Sequence, residues 1–154
     1  MHLYVVRHAK AGSRHEWEGP DHLRPLSKKG RRQADGLASL LADRNVQRVL
    51  SSPFIRCVET VQPLADKVGL EVELSDALAE GARTKAVLAL VRDLGTVGSV
   101  VCSHGDVIPN LLESLASEDP LRIPRDFPCP KGSIWDLAGE DGKYMEAHYI
   151  PPPA

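Results

Sequence analysis

The sequence predicts an α/β protein: a three-layer sandwich whose mainly parallel central sheet carries helices on both faces and ends in an edge hairpin near the C-terminus. Two patterns point there. Short apolar runs rich in β-branched residues alternate with segments of helical period, the signature of βα units. The last two apolar runs flank Glu140-Asp141-Gly142, a hairpin signal. A length of 154 residues suits one hydrophobic core, so residues 1–150 are expected to form a single domain and 151–154 a proline-rich tail.

Each element has its own cause. Leu3 to Val6 is the first apolar run, and the start around it lacks a basic region and a long apolar stretch. It is therefore read as a strand and not as a signal peptide. Ser27 is placed to cap a helix whose Ala34, Leu37, Ala38 and Leu41 share one stripe, with Gly30 weakening the first turn. Val46 to Leu50 is the second strand. Ser51-Ser52-Pro53 then leads into a helix from about Phe54, which Pro63 is expected to kink or interrupt. Val72 to Leu74 is the third strand. Thr84 is placed to cap a helix over Lys85 to Leu94, ended by Gly95. Ser99 to Cys102 is the fourth strand, and Gly105 to Ala116 a helix with Pro109 near its first turn. The proline-rich stretch Pro120 to Pro130 reads as loop, and Ser133 to Leu137 and Tyr144 to Tyr149 as the hairpin.

Composition narrows the partners. Nineteen Lys and Arg against 21 Asp and Glu give a net charge of −2, so no global positive field favours nucleic acid or an anionic membrane. No apolar run approaches the ~18–20 residues that cross a bilayer, and the chain is expected to stay in the cytoplasm. Cys57, Cys102 and Cys129 are odd in number and lack CxxC spacing, which suits reduced thiols better than a disulfide framework or a zinc site. The sequence carries no signal of oligomeric state.

In an open α/β sheet, ligands bind beyond the carboxyl ends of the strands. Here those ends carry Arg7-His8, Ser51-Ser52 with Arg56 one turn into the next helix, and Ser103-His104-Gly105. Two arginines and two histidines on one edge are poor company for a metal cation and suit a phosphoryl group, so neither metal nor cofactor is expected. Arginine forks hold phosphoryl oxygens, a neutral imidazole attacks phosphorus in line, and a protonated one adds a donor. An alkoxide leaving group needs an acid as well.

These residues resemble the histidine phosphatase, or phosphoglycerate-mutase-like, superfamily. Arg7-His8 matches its first motif; Leu26, Ser27, Gly30, Gln33 and Ala34 a second; Ser51, Ser52, Pro53, Arg56 and Thr60 a third; and Ser103-His104-Gly105 a fourth. The resemblance implies that His8 is the phosphorylated nucleophile, that Arg7, Arg56 and His104 form the phosphate pocket, and that Glu80 is the acid. Asp21, Glu18 and Asp106 are rivals for that last role. Ala9 and Lys10 depart from the usual Gly and Glu, Gln or Asn of the first motif. Lys10 would then add a cation beside the pocket.

Glu80 and His104 are only 24 positions apart, too few for the covering insertion of mutase-type members. The chain is in this respect similar to the short phosphohistidine phosphatase branch, with which it shares the Arg24-Pro25-Leu26 lead. In finer wording, Arg7 to Ser13, Val107-Ile108-Pro109 and Lys131 to Trp135 resemble the histidine phosphatase domain that actinobacteria fuse behind a Nudix hydrolase domain, with no Nudix part in these 154 residues. That likeness implies nucleoside di- or polyphosphates as substrates; with the wider family resemblance, the expected substrate is a small phosphomonoester, a nucleotide or a phosphohistidine protein. Lys10, Ser13, Arg14, Ser51 and Lys131 are then candidate substrate-binding residues. Trp17 or Trp135 could lie near a base, although packing is the usual work of large aromatics. A phosphoglycerate-type mutase and a non-catalytic phosphate-binding module are the alternatives to a phosphatase.

Overall fold

The computed structural model describes residues 1–154 and contains one six-stranded mixed sheet. In chain order the elements are β1 (His2–Arg7), α1 (Lys28–Leu41), β2 (Arg48–Ser51), α2 (Ile55–Val68), β3 (Val72–Leu74), α3 (Thr84–Leu94), β4 (Ser99–Ser103), α4 (Ile108–Glu118), β5 (Ile134–Glu140) and β6 (Lys143–Ile150). The strand order is β3-β2-β4-β1-β5-β6. β3, β2, β4 and β1 run parallel, and the β5–β6 hairpin adds antiparallel to β1 with β6 at the edge.

Two-residue periodicity sends the strand side chains to opposite faces. Leu3, Val5, Leu50, Val101 and Trp135 pack with Val87 and Val91 of α3 and with Ile108, Leu111, Leu112 and Leu115 of α4. Tyr4, Val6, Val49, Val100, Cys102 and Ile134 pack on the other face with Leu37 and Leu41 of α1 and with Cys57, Val61 and Leu64 of α2. The expected three layers result directly. Asp141 and Gly142 form the hairpin turn with φ of 54° and 76°, the pair of positive values that a two-residue turn between twisted strands requires.

Several local expectations are corrected. α2 runs unbroken through Pro63. The carbonyl of Glu59, which a proline at this position leaves without a helical donor, belongs to a residue that with Pro63 lines an open cleft between α1 and α2. Thr84 is the first residue of α3 and caps nothing; Arg83 stands at the cap. α4 begins at Ile108, because residues 104–107 form a turn whose His104 carbonyl accepts from the amides of Val107 and Ile108. Gly30 allows a close approach: a Cβ there would lie 1.9 Å from the Lys10 carbonyl oxygen. The terminal prolines pack back on the body, Pro152 beside Gly132 and Pro153 against Gly36. All three cysteines are free, Cys57 and Cys102 buried and Cys129 half-buried. No helix is long and apolar enough to cross a membrane.

Candidate active site

The carboxyl ends of β1, β2 and β4 lie side by side, and main-chain bonds beyond the strand ends fix the positions of His8 and Ser52. The His8 amide donates to the Ser103 carbonyl at 3.1 Å, and the Ser52 amide to the Cys102 carbonyl at 3.0 Å. His8 and His104 are thereby brought to a ring-centroid distance of 5.4 Å. A pocket of about 190 Å³ opens beside them, lined by Arg7, His8, Arg14, Arg24, Arg56, Glu80, His104, Gly105, Asp106 and Lys131.

His8 is held in one tautomer. Its Nδ1 lies 2.8 Å from the Ala9 carbonyl oxygen, which can only accept, so the proton sits on Nδ1 and the Nε2 lone pair is free. Burial, then the charges of His104, Arg56 and Arg7, outweigh that hydrogen bond and push the imidazole pKa down to about 3. Ala9 is itself pinned: its amide donates to Thr60 Oγ1 at 2.9 Å, and that hydroxyl donates to the Arg56 carbonyl. One threonine thus joins the two halves of the site. Ala9 adopts a negative φ, so the glycine usual at this place is not needed here.

The second motif serves as a clamp on the same segment. The Ser27 hydroxyl accepts from the Gly30 amide and donates to the Lys10 carbonyl, while Gln33 Oε1 accepts from the Lys10 amide. Lys10 therefore contributes its backbone, and its exposed side chain does not line the pocket. Ser13 is likewise outside it, and Ser51, fully buried, donates to the Ser52 carbonyl. Among the substrate-binding candidates, Arg14 and Lys131 do line the pocket.

The guanidinium groups are arranged from behind. Arg7 lies flat against Gly105, where a Cβ would meet its Cζ at 2.6 Å, and donates to the Cys129 carbonyl. Arg56 is 1 % exposed, stacks on Phe54 with Cζ 5.0 Å from the ring centroid, and donates through Nη1 to the Asp21 carbonyl. Its Nη2 is 3.1 Å from Asp21 Oδ2 and 3.5 Å from Glu80 Oε1. His104 places Nε2 2.8 Å from Ser52 Oγ and 3.5 Å from Cys57 Sγ. Nε of Arg7, Nε of Arg56 and Nδ1 of His104 are buried with no hydrogen-bond partner in the protein.

Among the four acidic candidates, Glu80 and Asp106 line the pocket. Asp106 accepts from the Gly81 amide at 2.8 Å and so holds the turn that carries Glu80. Asp21 is bound by Arg24 and Arg56. Slight burial raises its pKa, but those two guanidinium groups outweigh it and hold the carboxyl below its usual range. Glu18 is exposed and lies outside the pocket. Trp135 is a core residue, 2 % exposed, between Phe127 and Tyr149. No group of three or more His, Cys, Asp or Glu side chains is positioned to share a metal ion. Sequence reasoning missed Arg24, Ser52 and Phe54. Arg24 and Ser52 were visible within the motifs, but nothing in the spacing assigned them contacts.

Residues 3–82 match the family model described as histidine phosphatase superfamily, branch 1. The chain belongs to the histidine phosphatase superfamily. Its histidine phosphatase sequence is 34 % identical to the 8-oxo-(d)GTP phosphatase of Mycolicibacterium smegmatis over 98 % of this chain and 48 % of that protein. It thus spans about half the length of that relative. The fold is similar to that of the protein histidine phosphatase SixA complexed with tungstate, at a TM-score of 0.77, 23 % identity, and coverage of 97 % of this chain and 94 % of that one. The SixA protein from Agrobacterium tumefaciens superposes at a TM-score of 0.78 with 25 % identity, covering 98 % and 97 % of the two chains.

Proposed function

We propose that the protein is a phosphohydrolase that acts through a phosphohistidine on His8, without a metal, on small phosphate esters and anhydrides. The observation that carries this reading is the free Nε2 of a neutral His8 beside Arg7, Arg56 and His104. Nε2 attacks phosphorus, the bond to the leaving oxygen breaks, and an alkoxide takes its proton from Glu80. Arg7, Arg56 and His104 neutralise the oxygens of the transferring group, which is the work a metal ion would otherwise do. Water then attacks the phosphohistidine with Glu80 as base, releasing inorganic phosphate and restoring the imidazole.

An open pocket without a covering insertion supports hydrolysis over return transfer to a mutase product. Glu80 at the pocket supports an ester, whose alkoxide needs a proton, over a phosphohistidine protein, whose imidazole leaves more easily. The likeness to the mycobacterial 8-oxo-(d)GTP phosphatase supports nucleotides among the substrates. The test is phosphate release by pure protein with excess chelator from a panel of nucleotides, sugar phosphates and a phosphohistidine protein. Release unaffected by the chelator is expected; release that requires an added divalent ion, or isomerised phosphoglycerate without free phosphate, contradicts the reading.

A further inference from the structure

We infer that the cleft on the far side of Arg14 is a nucleobase subsite, with the base stacked on Trp17, and that the substrate class is a nucleoside diphosphate; this rests on the phosphohydrolase reading above. The cleft measures about 390 Å³ and is lined by Arg14, Trp17, Gly19, Asp21 and Glu80. It shares Arg14 and Glu80 with the His8 pocket, so the two clefts adjoin across these side chains.

Trp17 differs from the chain's other tryptophan in a way that matters for binding. The Trp135 ring is sealed in the core, whereas Trp17 is half-buried in a loop where nothing aromatic covers it. Its ring is nevertheless fixed. Nε1 donates to the Pro20 carbonyl at 2.9 Å, the Trp17 amide donates to the Ser13 carbonyl, and Arg24 Nη1 ties Gly12, at the start of the loop, to the phosphate pocket. Gly19, with φ of 133°, turns the chain beside the ring: a Cβ there would lie 3.7 Å from Cζ2 and Nε1. A ring fixed at its edge and open on a cleft is a stacking platform, and stacking of this kind accepts any base.

Charge supplies the second, independent observation. One phosphoryl group on His8 is matched by Arg7, Arg56 and His104; Arg24 is paired with Asp21 at 3.1 Å, and Arg14, 3.9 Å from the same carboxylate, and Lys131 line the pocket besides, with Glu80 and Asp106. Lys131 sits close to this group of cations: burial first, and then Arg7, Arg24, Arg14 and Arg56, push the pKa of its ammonium down. Arg14 borders both clefts, between the reacting phosphoryl and Trp17, which is where the second phosphate of a nucleoside diphosphate would lie. In the step this implies, the terminal phosphoryl passes to His8 Nε2, the bridging P–O bond breaks, and the nucleoside monophosphate leaves with the bridging oxygen.

The experiment compares GDP with glycerol phosphate, which has no ring, in wild type, Trp17→Leu and Trp17→Phe. The ratio of kcat/KM for GDP to that for glycerol phosphate should fall roughly fivefold or more in Trp17→Leu, the lower range of base–aromatic stacking, and largely recover in Trp17→Phe. GDP should also quench tryptophan fluorescence in His8→Ala, and the quench should disappear in the His8→Ala, Trp17→Phe double variant. A ratio changed by less than about twofold, or GDP binding without any quench, overturns the subsite. Quenching by GDP in a protein that hydrolyses neither compound would overturn the phosphohydrolase reading and leave the subsite standing.

Discussion

The Nδ1–H of His8 donates to the carbonyl of its own neighbour Ala9 at 2.8 Å, and this short bond decides which nitrogen faces the chemistry. Burial keeps the same ring neutral, with a pKa of about 3 against an ordinary 6.5. In the unfolded chain the ring takes up its proton near the ordinary value, so between the two values the unfolded state binds more protons. The neutral imidazole therefore contributes stability that is complete above 6.5 and is lost progressively as the pH falls toward 3. Urea midpoints should drop more between about pH 7 and pH 4.5 in wild type than in His8→Asn. An equal drop in both would show that His8 is not held neutral by the fold.

Glu80→Gln should act selectively. Loss of a general acid costs roughly 10²–10⁴ in rate where the leaving group needs the proton. Glycerol phosphate should suffer this loss in kcat, while an aryl phosphate with an acidic phenol should be nearly unaffected. Equal losses on both would move the acid to Asp106, the other carboxylate of the pocket.

Two glycines separate stability from activity. A Cβ at Gly30 would meet the backbone oxygen of Lys10 at 1.9 Å, so Gly30→Ala must shift α1 against the segment after His8. The expected cost is about 1–3 kcal/mol, read as a lower Tm. At Gly105 the Cβ would meet the Arg7 guanidinium, a side chain able to move. Gly105→Ala should keep its Tm within a few degrees and lose roughly 100-fold in kcat/KM by misplacing Arg7.

Asp21 occupies two of the cations that a phosphate would use, Arg24 through Nε and Arg56 through Nη2, both at 3.1 Å. Asp21→Asn should therefore bind inorganic phosphate several-fold more tightly, measured as a lower inhibition constant, because an ionised competitor is gone. Weaker phosphate binding would mean that Asp21 chiefly positions the two arginines.

Much of this site was legible in the sequence because three parallel strands end on one edge, so residues just after each apolar run had to meet. Arg7, His8, Arg56 and His104 came from that rule and from the family motifs that surround them, and Glu80 only from the place where the resemblance puts an acid. Lys10 and Ser51 were misread for a physical reason: a residue beside a catalytic group in sequence can turn its side chain away and serve through its backbone, as Lys10 does for Ser27 and Gln33. Arg24 and Asp21 were illegible as a pair, since the contact of Asp21 with Arg56 depends on how the loop after Gly12 folds back onto α2. Pro63 was expected to kink or interrupt a helix, and the interruption does not occur: packing of Val61, Leu64 and Ala65 on the sheet side outweighs one missing hydrogen bond on the cleft side.

The most direct measurement is the site of the covalent phosphate. Protein mixed with substrate and quenched within milliseconds should carry an acid-labile, alkali-stable phosphate on His8, attached at Nε2 by phosphorus NMR of the isolated peptide, and His8→Ala should carry none. Phosphate on Nδ1, on another residue, or surviving in His8→Ala would contradict the account.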